Sequence, residues 1–404
     1  MVPFLVMMLT ACRRPVPYPL RSHVAKLAVI TCAALVFQMI HVEQLSAASA
    51  DRPNIVFVLA DDLGYGDLGC YGQRVIRTPR LDQMAAEGMR FTDFYAGATV
   101  CAPSRCVLMT GQHLGHCQVR GNAGGDNMLR QSLRDADITV AEALKSADYA
   151  TALIGKWGLG EIDEPGHPLR QGFDYFYGYL NQVHAHNYWP EFLWRNLEKV
   201  KLGNVVHRVS RPYGGFPGGW ATKRMEYSHD LFVAEALKWI ESHKEEPFFL
   251  YLAHNMPHVP LGASKRFRGR SRRGLYGDVV EELDWSAGEI LNTLRKLNLD
   301  DNTLIVFTSD NGPWIEDHLG DYGGSAAPLR GWKMSAWEGG PRVPCIMRWP
   351  GRIPAGRVCH EMVTSMDLLP TFSRLAGAKL REDRVIAVSY THLRAHETSL
   401  HLVC

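Results

Sequence analysis

Two apolar runs in this chain end in acids. Asn54–Ala60 (NIVFVLA) passes directly into Asp61-Asp62, and Thr303–Thr308 (TLIVFT) passes into Ser309-Asp310-Asn311-Gly312. Both runs are short, rich in β-branched residues and lack a polar face, as strands buried on both sides require. Ala150–Ile154 and Pro247–Ala253 are of the same kind. Helical patterns lie between them. Thr139-Val140-Ala141-Glu142 is a capping box opening a helix over Thr139–Ser146. Glu226–His243 and Tyr276–Leu297 are long and amphipathic, the latter with Leu283, Ala287, Ile290, Leu291, Leu294 and Leu297 at helical spacing. Strands alternating with helices predict the α/β class, a large and mostly parallel sheet flanked by helices. The Gly/Pro/aromatic stretch Gly160–Trp220 is expected to form irregular loops over one face.

Parallel sheets hold their ligands at the carboxyl ends of the strands, where these acids fall. Clustered carboxylates repel one another unless positive charge lies between them. Asp61, Asp62, Asp310 and Asn311 make an all-oxygen set suited to Ca²⁺ or Mg²⁺, whereas zinc would take His or Cys, which neither motif contains. Each motif alone also reads as a turn or a helix cap. Cationic groups follow the same pattern: Lys156 lies just past one strand, His258 just past another, and Lys333 within GWKMSAWEGG. Singly they read as surface or turn residues. Together with Arg105 they would clamp an oxyanion beside a hard cation, as sulfuryl or phosphoryl transfer requires.

The segment Thr99–Gly111 (TVCAPSRCVLMTG) has the marks of a short helix. Pro103 suits a first turn and Gly111 a C-terminal stop, so Cys101 stands at a helix N-terminus that favours an anion. A thiol there is either a nucleophile with lowered pKa or a small buried packing residue.

The 404-residue chain is 46% hydrophobic and 21% charged with a net charge of +2, a globular composition with no global signal for nucleic acid. One local run, KRFRGRSRR (Lys265 to Arg273), is either a solvated loop or a contact for a polyanionic substrate. Lys26, the apolar run Leu27–Ile40 and the Ala48-Ser49-Ala50 site predict a signal peptide within residues 1–50, preceded by residues upstream of the true start. The mature chain is then expected in the periplasm or secreted, without stable membrane insertion. Leu9-Thr10-Ala11-Cys12 resembles a lipoprotein signal but lacks a preceding basic residue. Val388–Thr398 (VSYTHLRAHET) resembles a translated sequencing adapter, which His401–Cys404 continues. Residues 387–404 are therefore expected to be non-native and the natural chain truncated. Cys70, Cys101, Cys106, Cys117, Cys345 and Cys359 form no spaced disulfide or zinc pattern.

Taken in order, the strand with Asp61-Asp62, Cys-x-Pro-Ser-Arg with its downstream Thr-Gly, Gly-Lys-Trp at 155–157, Pro-His at 257–258, Asp-Asn-Gly at 310–312 and Trp-Glu-Gly-Gly at 337–340 resemble the type I sulfatases of the alkaline-phosphatase-like superfamily. The likeness covers about Arg52 to Ile386, so a catalytic domain over 51–386 is expected. Gly-Lys-Trp-Gly and Ala-His-Asn-Tyr are similar to a bacterial arylsulfatase A-like subgroup acting on polysaccharides. The resemblance implies that a formylglycine-generating or other sulfatase-maturing enzyme converts Cys101 to formylglycine. It also implies that Asp61, Asp62, Asp310, Asn311 and the modified Cys101 hold Ca²⁺, and that Asp310 acts as base. Arg105 would orient the formylglycine, Lys156 and Lys333 bind sulfate, and His258 protonate the leaving alcohol. The family usually has a histidine at position 158, which assists sulfate release; here it is Gly158, and His184 or His186 is the expected substitute, His186 also serving to grip substrate. Trp332 and Met334 replace the usual glycines beside the second lysine, and the smaller C-terminal β domain is expected to be missing. The implied activity is hydrolysis of sulfate esters of a glycan or aryl alcohol. The alternatives are a phosphonate or phosphodiester hydrolase using the same formylglycine, and a non-catalytic glycan-binding relative.

Overall fold

The computed structural model describes residues 52–122, 131–207, 219–314 and 323–380. In chain order its strands are β1 (Asn54–Ala60), β2 (Met89–Phe91), β3 (Phe94–Tyr95), β4 (Ala150–Lys156), β5 (Tyr175–Tyr179), β6 (Phe192–Arg195), β7 (Glu198–Lys201), β8 (Val205–His207), β9 (Trp220–Lys223), β10 (Phe248–Ala253), β11 (Thr303–Ser309), β12 (Cys345–Arg348), β13 (Arg357–Cys359) and β14 (Val363–Thr364). Ten of them form one sheet in the order β13-β2-β12-β11-β1-β10-β4-β5-β6-β7. The four apolar runs of the sequence are the adjacent strands β11, β1, β10 and β4, all mutually parallel. β5 continues the parallel set, while β6, β7 and β12 run antiparallel to their neighbours.

Every residue of β1 is buried, and its side chains alternate between two cores. With the helices taken in chain order as α1 (Pro79–Ala86), α2 (Cys101–Thr110), α3 (Val140–Lys145), α4 (Ser228–Ser242) and α5 (Gly274–Lys296), Val56, Val58 and Ala60 face one core, packed with α4 and α5. Ile55, Phe57 and Leu59 face the other, packed with the helices over Cys101–Thr110, Val140–Lys145 and Leu368–Ala376. Burying one such side chain is worth ~1.5–3 kcal/mol, so helix layers on both faces follow from strands with no polar side. The capping box forms as expected: Thr139 Oγ1 accepts from Glu142 N–H at 3.2 Å and Glu142 Oε2 from Thr139 N–H at 2.8 Å.

The stretch Gly160–Trp220 is less irregular than its composition suggests, since it contains β5, β6, β7 and β8. Residues 176–179 of β5 are buried along β4, and a Cβ at Gly178 would lie 1.9 Å from the Gly155 carbonyl oxygen, so glycine serves strand pairing here. Asn196, at φ 52°, closes a tight turn between β6 and β7. The basic run lies in the loop before α5, where Asp278 accepts backbone N–H groups of Gly269, Arg270 and Ser271. The signal-peptide and tail assignments lie outside the described residues. Among the described residues no helix is long and apolar enough to cross a membrane.

Candidate active site

Because β1, β4, β10 and β11 are parallel, the groups just past their ends meet at one edge of the sheet. Asp61 and Asp62 follow β1, Lys156 ends β4, His258 lies in the loop after β10, and Asp310 and Asn311 follow β11. Asp62 adopts φ 70°, a left-handed conformation that side chains other than glycine rarely take. Its N–H donates to Asp310 Oδ1 at 3.2 Å, and the flanking N–H groups of Asp61 and Leu63 donate to Met256 O and Ser309 Oγ. The two strand ends thus lock each other.

Cys101 is the first residue of a helix that runs to Thr110. Val100 before it is extended, Gly111 after it is left-handed at φ 61°, and Asn122 Oδ1 accepts the Ala102 N–H at 3.1 Å. The Cys101 thiol lies 3.4 Å from Asp61 Oδ1 and 3.3 Å from Lys333 Nζ. Burial, with the charge of Asp61, pushes it up to about 12, so at neutral pH it is a thiol and not a thiolate. Of the two local readings, the nucleophilic thiolate is not supported.

The carboxylates Asp61, Asp62 and Asp310 face the cations Lys156, Lys333 and Arg105, all six buried. Lys156 Nζ is 2.7 Å from Asp61 Oδ2, and Lys333 Nζ is 2.6 and 2.8 Å from the Asp62 oxygens. Burial alone would raise Asp61, but Lys156, His258, Arg105 and Lys333 hold it well below the usual carboxylate range. Asp310 is pushed up to about 7 by burial and by the Asp61 charge, against the pull of Arg105. Arg105 donates from Nε to Asp310 Oδ2 at 2.9 Å and from Nη1 to the Lys156 carbonyl at 2.7 Å. Its guanidinium therefore positions Asp310 and the end of β4, where the resemblance implied a contact to residue 101.

His258 Nε2 is 3.5 Å from Asp62 Oδ2, and burial lowers its pKa to about 4. His186 stacks on it, ring centroids 4.2 Å apart and 14° from parallel, and burial beside His258 and Lys156 keeps it neutral as well. His184 packs against the rings of Tyr179 and Phe192 instead, so His186 is the one that lines the cavity. Lys333 is presented by a loop whose N–H groups at Lys333 and Met334 donate to Pro313 O and Thr99 O. Met334 sits at φ 70°, which accounts for glycine being the usual residue there.

The acids differ in their fitness for a cation. Asp61, Asp62, Cys101 and His258 bring ligand atoms within 4.8 Å of one another. Asp310 is turned to Arg105, and Asn311 donates from Nδ2 to Asp62 Oδ1 at 2.7 Å. Asn311 Oδ1, buried beside Asp62, has no hydrogen-bond partner. An orphan amide oxygen beside two carboxylates is a hard-donor set, and it fits an oxygen-seeking divalent cation.

A parallel α/β sheet with a charged, anion-receptive centre at its strand ends and a reactive position at a helix N-terminus defines a hydrolase centre of the alkaline-phosphatase-like fold. The sulfatase family profile matches residues 53–378. The chain belongs to the sulfatase family, whose members are sulfuric ester hydrolases. It is 40% identical over 355 residues to rat (Rattus norvegicus) N-acetylgalactosamine-6-sulfatase, covering 85% of this chain and 65% of that protein. It is 36% identical over 405 residues to human (Homo sapiens) arylsulfatase D, covering 84% and 68%. The chain thus spans about two thirds of the length of these relatives. A solved structure from the Bacteroides thetaiotaomicron locus for metabolism of multiple glycosaminoglycans superposes with TM-score 0.74 at 33% identity, over 87% of this chain and 82% of that one.

The cavity above Cys101 has a volume of about 400 Å³ and is lined by His186, His258, Lys333, Trp314, Asn122 and Gln182, among others. Gln182 was not legible in the sequence, where Asn181-Gln182 carries no motif. The one available signal was its place four residues before His186.

Proposed function

We propose that this protein hydrolyses sulfate esters, of a sulfated glycan or an aryl alcohol, with residue 101 matured from cysteine to formylglycine. The observation that supports this most is the buried Cys101 at a helix N-terminus, 3.3 Å from Lys333 Nζ, in a cavity otherwise equipped for an anion. A thiol held protonated is a poor nucleophile. As formylglycine hydrate, residue 101 would carry two hydroxyls on one carbon, one to attack sulfur and the other to expel sulfate afterwards.

The chain's own groups supply the rest. Lys333 and Lys156 exchange part of their contact with Asp62 and Asp61 for the sulfuryl oxygens, stabilising charge that builds during transfer. Asp310, held by Arg105 and poised near neutrality, takes the proton of the attacking hydroxyl. An anionic ester beside His258 offsets the field of the two lysines and favours protonation of Nε2, from which the leaving alcohol is protonated. Asp61, Asp62, Asn311 and residue 101 would hold Ca²⁺ or Mg²⁺, which would polarise the sulfuryl oxygens. A glycan substrate is supported by the N-acetylgalactosamine-6-sulfatase relative and the glycosaminoglycan-locus structure. Export, as the signal peptide read in the sequence implies, is consistent with such a substrate.

The test is to co-express the chain with a formylglycine-generating enzyme and to label the peptide bearing residue 101 with an aldehyde probe. Sulfate release from aryl sulfates and sulfated oligosaccharides is measured alongside. Matured protein should carry the aldehyde and release sulfate, and Cys101→Ala should do neither while keeping its fold. A Cys101→Ala protein with the parental rate would sink this mechanism. Faster turnover of phosphonate or phosphodiester esters would move the activity to the alternative ester class.

A further inference from the structure

We propose that Met334 and Trp314 form an apolar rim that grips the ring of the leaving alcohol and selects a sulfated pyranose over an aryl or open-chain sulfate. This deepens the sulfate-ester reading and rests on it.

The loop that presents Lys333 breaks a backbone rule at the next residue. Met334 sits at φ 70°, a conformation that glycine takes freely and other residues resist. The surrounding backbone holds it there: Lys333, Met334 and Ser335 donate their N–H groups to Pro313 O, Thr99 O and Trp332 O, each at 2.9 Å. Strain of this kind persists where the surroundings over-determine it, and it collects at functional positions. Core packing does not account for the side chain, because Met334 is 66% exposed. What it does line is the cavity, beside Lys333. Glycine would serve the backbone without strain, so the flexible thioether chain is what this position adds. Methionine suits an apolar surface that must fit an irregular ligand.

Trp314 lines the same cavity, with Lys333 Nζ 5.4 Å from its ring centroid. Gly324 N–H donates to the Trp314 carbonyl at 3.1 Å and anchors its main chain. Val100 and Val259, both half-buried, extend the apolar lining, while Asn122 and His186 add polar groups to it. A ligand that matches both kinds of lining has an apolar face, a polar edge and an anionic ester. A sulfated pyranose has all three: its axial C–H groups form the face and its hydroxyls the edge. An aryl ring has no hydroxyl edge, and an open-chain ester leaves the rim without a partner. At about 400 Å³ the cavity is near the small end of ligand pockets, roughly 300–1,000 Å³, so it takes one ring with its ester.

The experiment uses the matured full chain with three kinds of ester. Ethyl sulfate is the reference without a ring, 4-nitrophenyl sulfate is the aryl ester, and a panel of monosulfated hexoses and N-acetylhexosamines supplies the sugar. In Met334→Gly and Trp314→Ala, kcat/KM for the best sugar sulfate relative to ethyl sulfate should fall about tenfold, the low end for an apolar contact to substrate. The loss should fall on KM, because the rim grips the ring alike before and during transfer. Met334→Gly should keep or raise the melting temperature, since the left-handed backbone is relieved, whereas a packing role would lower it. Unchanged ratios in both variants would overturn the proposal. So would a fall for 4-nitrophenyl sulfate alone, or a parent that turns over the aryl ester and no sugar sulfate, since either makes the rim an aryl clamp. A loss confined to kcat would overturn it too, by placing these residues in the transfer step. Absence of turnover of every ester by the matured parent would instead sink the sulfate-ester reading, before any variant is compared.

Discussion

Lys333 Nζ lies 2.6 Å from Asp62 Oδ1 and 3.3 Å from the Cys101 sulfur, so one buried ammonium ties the strand-end acid to the helix that carries the reactive position. The field of Asp62, with Cys101 and Asp61 beside it, outweighs burial and holds Lys333 firmly protonated. Its charge is thus available to an anionic substrate without a proton being taken up on binding.

Replacing Lys333 by Ala should act on two quantities at once. The charge that stabilises the transferring group is lost, and kcat/KM should fall about 10²–10³-fold. Asp62 is also left buried with less compensation, at a cost of up to about 3–5 kcal/mol. Steady-state kinetics and a thermal melt of the same preparation check both. A variant with parental kcat/KM would remove Lys333 from the sulfate site.

Chelation should lower activity, and Ca²⁺ or Mg²⁺ should restore it. Independently of turnover, saturating the site should raise stability, by about 2.7 kcal/mol at a hundred times Kd. Thermal shift of the unmatured protein with each ion in turn reads this directly. Asn311→Ala, which removes the orphan amide oxygen, should weaken the shift. A shift seen only with Zn²⁺ would mean that Cys101 and His258 dominate the donor set.

Restoring the family's usual residue as Gly158→His should fail. The left-handed backbone at Gly158 costs an ordinary residue roughly 1–2 kcal/mol, and the new side chain must displace Gln182. The variant should melt lower and turn over more slowly than the parent. Faster sulfate release from this variant would show that the backbone there yields easily.

Glu282, on α5, should impose a pH dependence on stability. Burial pushes its pKa up from 4.5 to about 7; Ser264 and Tyr227 donate to it, and the nearby Asp230 raises it further. Its ionised form is therefore disfavoured in the folded state. The stability it contributes is fully present below about pH 4.5 and is lost as pH rises through about 7. The loss amounts to about 3 kcal/mol at 1.36 kcal/mol per pH unit. Denaturant unfolding at a series of pH values should show this fall in the parent, and Glu282→Gln should flatten it. An unchanged slope in Glu282→Gln would place the titration elsewhere.

Features of this protein that rest on local information are written in its amino-acid order. Unbroken apolar runs such as NIVFVLA require burial on both faces, and the acids that end them must then lie at a sheet edge. Thr139 with Glu142, and Gly111 after Cys101–Thr110, set helix ends through contacts only a few residues long. The ordered motifs from Asp61 to Gly340 carried the family for the same reason, since each is a short string. Pairing between distant residues depends on the folded chain. Lys333 and Asp62 are 271 positions apart, and Arg105 and Asp310 are 205 apart. No local pattern states that Arg105 grips Asp310, that His186 rather than His184 stacks on His258, or that Gln182 fills the space above Gly158. Those partners follow from the register of the parallel strands and the path of the loops beyond them, because a buried charge or amide takes whichever complementary group folding brings within about 3 Å of it.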